Sequence, residues 1–375
     1  MAILVIGNGF DIAHGLPTQY AHFLAFLSLY VASDEELEKA TRRMQYSEVA
    51  NFAKRLRCSD NTANREVHDL LSHTNSLLTH FHSVCEQRRN EGKEGWVDFE
   101  AEIAWMIQLF EQAREEARLG KQYLSSDLKE IIAPFICSSN AEFYPPENII
   151  VYPELIEAMS RYRLGDLNII TRLLEIYLVE FIDQLYVDPL PQISNLPNIT
   201  HVLSFNYTST YQRLYGNDNV EYCYIHGKAT EHSSIDNCNM VLGIDEYLKG
   251  DARDLDNTFI WFKKFYQRIY KETSSSYIDW LNKHEQACQT LRKTRPPQLD
   301  IYFYGHSLDI TDKDVLEKMI LHENAKIHIF YRNKGSMAKQ IGNLVKIIGE
   351  DNLIKMTRGS NRTIVFEPAG VHNAM

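Results

Sequence analysis

The stretch that most constrains this chain is its opening, MAILVIGNGFDIAHGLPTQYAHF. A wholly apolar run, Ile3 to Ile6, stops at Gly7-Asn8-Gly9 and passes into a turn that carries Asp11 and His14. A short apolar run without polar alternation reads as a strand buried on both faces, and such strands belong to parallel sheets covered by helices. In those sheets the C-terminal ends of the strands form the ligand crevice. Two glycines there let backbone N–H groups approach an anion, and a helix start just beyond would add its positive end, so a phosphate is the natural guest. The dinucleotide fingerprint G-x-G-x-x-G wants a third glycine where this chain has Ile12. A hydride-transferring dehydrogenase is therefore not indicated.

Five further apolar runs answer the first one late in the chain: HVLSF (201–205), VEYCYIH (220–226), MVLGI (240–244), LDIYFYG (299–305) and KIHIFYR (326–332), with TIVFE (363–367) after them. Four of these deliver a polar cluster to their C-terminal ends. HVLSF leads into Asn206-Tyr207-Thr208, VEYCYI into His226-Gly227, MVLGI into Asp245, and LDIYFYG into His306-Ser307. In a parallel sheet those ends lie side by side, which makes a ligand site from residues distant in sequence.

Between the first strand and the rest, helical spacing dominates, as in EVHDLLSHTNSLLTHFHSVCEQ and WVDFEAEIAWMIQLFEQAREEA. The expected organisation is an α/β, Rossmann-like parallel-sheet domain of residues 1–23 and 199–375, with residues 24–198 as a helical insertion or cap. The proline-containing stretch DPLPQISNLPN (188–198) returns the chain to the sheet.

The formal net charge of −11 over 375 residues argues against a surface made for broad binding of nucleic acid or anionic lipid. Six cysteines, at 58, 85, 137, 223, 238 and 288, form no C-x-x-C pair, so neither a disulfide scaffold nor a cysteine-rich zinc module is expected. No apolar run reaches a membrane span, and a cytoplasmic protein is expected. Residues 257–272 interleave aromatics with Lys263, Lys264, Arg268 and Lys271, and LRKTRPP (291–297) adds positive charge. That pattern keeps a nucleic-acid sensor or nuclease open, against a core stripe of Phe259, Phe262, Tyr266 and Ile269 with a basic outer face. Glu100, set on a helix beside Trp96, Phe99 and Trp105, is read either as entering the crevice or as facing solvent.

GNGFDIAHGLPTQYAHF, WVDFE, SFNYT, IHG, GID and YGHSLDITD together resemble the AbiH-like family of phage abortive-infection proteins. For Glu100 that resemblance favours the crevice. More distantly, the order of glycine turn, strand-Asn, strand-His-Gly and strand-Gly-x-Ser-Leu is similar to the NAD-binding core of sirtuins and sirtuin-like NADases. That resemblance implies a sirtuin-like core binding NAD, with catalytic roles on Asn206 and His226. It implies nucleotide contacts from Gly7, Gly9, Gly305 and Ser307, and Asn8, Phe10, Thr208, Asp245 and His306 are grouped with them. Asp11, with Asp245 in reserve, would supply negative charge. Two departures qualify it. Thr208 stands where such enzymes carry the Asp of N-x-D, and the four-cysteine zinc module of deacetylases is missing, so no metal is expected.

The implied reaction is hydrolysis of the nicotinamide–ribose bond. The leaving group is already cationic, so the demands are a carboxylate near an oxocarbenium-like sugar and a base for the attacking water. His226 suits the base and Asn206 can hold ribose and water. An inert NAD or ADP-ribose module that signals to a partner is the other alternative. A phage-derived trigger or partner protein and a homo-oligomer complete the expected associations.

Overall fold

A computed structural model describes residues 1–42, 47–92, 97–120, 152–231, 233–245, 255–291 and 296–370. The chain divides into two compact units. The first comprises Met1–Thr18, Ile182–Ala229 and Glu272–Met375, and the second Gln19–Phe181 and Thr230–Lys271.

The first unit is an open, all-parallel sheet of six strands: β1 (Ala2–Ile6), β2 (His201–Ser204), β3 (Glu221–Tyr224), β4 (Leu299–Tyr304), β5 (Ala325–Tyr331) and β6 (Ile364–Pro368). Their order is β3-β2-β1-β4-β5-β6, which places β1 inside the sheet. Val5 is level with Leu203 on one side and with Phe303 on the other. The alternation of side chains across the pleat then divides β1 between two cores. Ile3 and Val5 join Leu203, Ile301, Phe303, Ile327 and Ile329 in one. Leu4 and Ile6 join Val202, Tyr302, Tyr304 and Phe330 in the other. This explains why β1 lacks polar positions. The strand order is that of doubly wound dinucleotide-binding sheets, and its reversal point falls between β1 and β4. The fold is α/β and Rossmann-like, with a large helical insertion.

MVLGI is a correction. Met240–Ile244 lies in the second unit and belongs to no strand, only an isolated bridge linking Ile244 to Lys263. Gln267 takes the place of a neighbouring strand: its Nε2 donates to the Leu242 carbonyl at 2.9 Å and its Oε1 accepts from the Leu242 N–H at 3.1 Å. Gly243 is needed because a Cβ there would come within 2.3 Å of the Phe262 carbonyl oxygen.

The second unit is helical, and its boundaries are written in its caps. Ser33 and Glu36 form a capping box at helix Asp34–Thr41. Asn61, Asn75 and Asp98 accept from the first-turn N–H groups of helices Thr62–Ser72, Ser76–Asn90 and Phe99–Arg118. Aromatic rings fill the interior, with Phe99 stacked on Phe81 at 4.1 Å and Phe52 on Phe181 at 4.7 Å. Among the described residues no helix is long and apolar enough to cross a membrane.

Candidate functional site

Every strand from β1 to β4 ends in polar or glycine residues that meet on the first unit. The β1 exit begins with Gly7 and enters helix Asn8–Ala13 directly. Here the glycines have a structural cause: the Gly9 N–H donates to the Gly305 carbonyl at 2.8 Å, and a Cβ on Gly305 would lie 2.0 Å from the Phe10 nitrogen. Gly305 also sits at φ +68°. The turns after β1 and β4 thus touch backbone to backbone at the reversal point of the sheet, an approach that only glycine permits. The Gly9 N–H is committed to that contact.

The next turn of helix buries Asp11 to 1% exposure. Its Oδ2 accepts from Asn206 Nδ2 at 3.0 Å and from the Thr208 hydroxyl at 2.7 Å, both at the β2 exit. Asn206 Nδ2 also donates to the Gly7 carbonyl at 3.0 Å, so one amide ties three strand-end residues together. Asp11 Oδ1 has no hydrogen-bond partner among the described residues. Burial pushes this carboxyl up to about 6; the hydroxyls of Thr208 and Thr210 and the charge of Arg213 pull it back, while Asp183 pushes it further up. Burial likewise raises the Asp183 carboxyl.

His14 does different work. Its Nδ1 is 2.7 Å from the Phe10 carbonyl, which fixes the proton there, and its Nε2 accepts from the Tyr215 hydroxyl at 2.7 Å. Burial holds its basicity below the usual histidine range. It locks the turn in place. Phe10 itself is fully buried and packs at 6.0 Å edge-on to Tyr304, so it is core.

A second cluster forms across Gly7. His226 leaves β3 in a turn closed by Gly227 at φ +76°. Its Nε2 lies 3.2 Å from Asp312 Oδ1. His306, at the β4 exit, presents Nε2 to Asp312 Oδ2 at 3.9 Å, and its Nδ1 accepts the Leu308 N–H at 2.9 Å. Phe205 stands edge-on to both imidazoles, with centroids at 5.4 Å from His226 and 4.3 Å from His306. Residues His226, His306 and Asp312 are all at most 7% exposed. Chemically the arrangement offers a buried carboxylate holding an amide and a hydroxyl, beside an imidazole paired with a second carboxylate. That is equipment for orienting a polar group and moving a proton.

The candidate residues therefore separate. Asn206, Thr208 and Asp11 come together, as do His226 and His306, while Gly7, Gly9 and Gly305 shape the turns. Asn8 and Ser307 are exposed; Asn8 Oδ1 accepts from the Thr18 hydroxyl at 2.6 Å. Asp245 lies in the second unit and follows no strand. Glu100 pairs with Lys264 at 2.7 Å inside that unit. Trp96 falls outside the described residues. The basic outer face of residues 257–272 also needs correction: Lys263 and Lys264 are each 2% exposed, whereas Ile269 and Tyr270 are 74% and 75% exposed. A short 3₁₀ turn, Ile260–Phe262, precedes helix Lys264–Tyr270 and breaks the helical phase that the spacing suggests. Most of LRKTRPP (residues 292–295) lies outside the described residues.

Asp312 is the residue the sequence reading missed. It closes YGHSLDITD immediately before helix Lys313–Ile320, where an aspartate reads as an ordinary helix cap.

Among the described residues no group of histidines, cysteines and acids could hold a metal ion, and the five described cysteines form no disulfide with one another. Comparison with curated proteins and with solved structures returns no match. Residues 3–332 match the family model described as bacteriophage abortive infection AbiH; with nearly the whole chain covered, this protein belongs to the AbiH family.

Proposed function

We propose that this AbiH protein acts in abortive infection of bacteriophage by binding NAD at the reversal point of its sheet and hydrolysing the nicotinamide–ribose bond. The observation that carries the reading is the tether of Asn206 to both Asp11 and Gly7, set beside the His226–Asp312 pair at the strand order of dinucleotide-binding sheets. In this reading Asn206 holds the ribose and the attacking water, and His226 takes the water's proton as the new C–O bond forms. The C–N electron pair leaves with nicotinamide, neutralising its ring. Asp11 is too enclosed to touch the sugar; its charge acts from beneath, through the amide it orients. The Thr208 departure also finds a rationale. Thr208 donates to Asp11, so the carboxylate that N-x-D enzymes carry on the β2 turn is supplied here from the β1 turn.

The test is direct. Purified full-length chain is incubated with NAD, with and without phage-infected lysate, and nicotinamide release is measured. Asn206→Ala and His226→Ala should each lower release by roughly 10²-fold while melting as the parent does, the typical contribution of a positioned base. A parent that neither binds nor cleaves NAD under either condition overturns the reading. The nucleic-acid alternative loses its main support with the burial of Lys263 and Lys264.

A further inference from the structure

We infer that Asp312 is the positioning residue of this site, and that it divides two histidines into one that takes up a proton, His226, and one held permanently neutral, His306. The inference extends the proposed reaction by naming what orients its base, but its geometry stands apart from the substrate.

Asp312 occupies the N-cap of helix Lys313–Ile320, and no side-chain cap hydrogen bond forms there. An aspartate at that position ordinarily accepts from the first-turn N–H groups and stabilises the helix by about 1 kcal/mol. This carboxylate forgoes that bond and turns to the imidazoles instead, 3.2 Å from His226 and 3.9 Å from His306.

His306 cannot share the proton. Its Nδ1 accepts the Leu308 N–H, and Leu308 is held at φ +55°, a conformation that costs a branched residue strain. A proton on Nδ1 would set two donors against each other. The ring's one proton therefore resides on Nε2, directed at Asp312 Oδ2. In His226 the carboxylate stands at ion-pair distance from Nε2, so that nitrogen carries its proton toward Asp312 and a second proton, drawn from the water, goes to Nδ1; the Phe205 edge keeps both contacts in an apolar setting. Among the described residues, the titratable groups set against His226 are Asp312, from the turn after β4, and His306 behind that carboxylate; the β2 exit contributes the apolar Phe205.

The same hydrogen bond argues against reading the three side chains as a metal site. A ligating histidine donates its second ring N–H, whereas the second nitrogen of His306 is an acceptor.

The experiment is ¹⁵N NMR of the imidazoles in full-length protein, parent and Asp312→Asn, from about pH 5 to 8, the span of ordinary histidine titration. His306 should keep the neutral Nε2–H pattern throughout. His226 should titrate, with a midpoint that falls by about one unit or more when the neighbouring charge is removed. NAD turnover at neutral pH should fall by roughly 10²-fold in that variant with KM little changed. Because Asp312 caps nothing, the variant should fold; should it not, His306→Asn, whose Oδ1 can take the Leu308 N–H, must leave the His226 midpoint unchanged or higher. Protonation of His306 at Nδ1, an unmoved His226 midpoint in Asp312→Asn, or a lowered one in His306→Asn overturns the inference. A parent inactive on NAD would sink the reaction while leaving the titration result intact.

Discussion

In the helical unit Arg172 reaches Glu66 through two nitrogens at 2.7 and 2.8 Å and Glu175 through a third at 2.8 Å, and Arg163 meets Asp166 at 2.6 Å. In the sheet unit Asp11, just as enclosed, meets an amide and a hydroxyl, with no ion-pair partner among the described residues. In the first arrangement Arg172 ties helix Pro153–Glu180 to Glu66 of helix Thr62–Ser72, while the other two pairs lie within Pro153–Glu180; a buried charge is tolerable when its counter-charge is in contact. The second leaves a carboxyl whose ionisation falls near neutrality, a condition that structure alone does not require and that functional sites repeatedly show. Buried charge thus serves packing in one unit and, on the proposed reading, chemistry in the other.

The sharpest way to break that contrast is Arg172→Ala. It would strand Glu175, which has no exposed side chain, and should cost about 3–5 kcal/mol in urea denaturation. A loss under about 1 kcal/mol would mean the pair is no packing device.

Asp11→Asn should go the other way. The folded pKa stands above the unfolded value, 3.8 rising to about 6, so the native state binds the extra proton in that window. Stability should fall as pH rises from about 4 to about 6 and stay lowered above it, by about 3 kcal/mol. In the variant that slope should vanish, leaving a protein more stable at neutral pH but slower on NAD. A pH-independent parent would return Asp11 to simple turn packing.

The smallest effect belongs to Ser307→Ala. Ser307 is exposed, and it is its backbone carbonyl that holds Asn343 Nδ2, at 3.0 Å. Stability should stay within about 0.5 kcal/mol. If the hydroxyl contacts the nucleotide, KM for NAD should rise roughly 2- to 10-fold with kcat kept, the worth of one hydrogen bond.

Much of this was legible before the structure, for reasons that differ by residue. Strands buried on both faces leave an unmistakable apolar run, so β1, β2 and β4 could be placed from Ile3–Ile6, HVLSF and LDIYFYG. MVLGI carries the same pattern yet pairs with no strand, because the Gln267 side chain satisfies Leu242 and the 262–264 backbone satisfies Ile244, and no local rule announces such a substitute. Asn206, Thr208 and Asp11 could be grouped by their places at strand ends, but not the direction of their hydrogen bonds. Asp312 was hidden by its own position, where a commoner role accounts for it. The glycines were ambiguous from the start. Close approach to a phosphate and close approach to another backbone demand the same residue, and only the Gly9–Gly305 contact separates the two.

The central place of β1 has a consequence in time. Val5 pairs with Phe303, across about 300 positions of chain, and the Gly9 contact likewise waits for Gly305. At the usual pace of synthesis, about 5–20 residues per second, the ribosome needs about 15–60 s to make that span. Through that interval β1 has no β4 beside it, and neither His306 nor Asp312 exists to meet His226. On the proposed reading the nascent chain is therefore inert, its site incomplete until the residues around 299–312 have emerged and met the first strand.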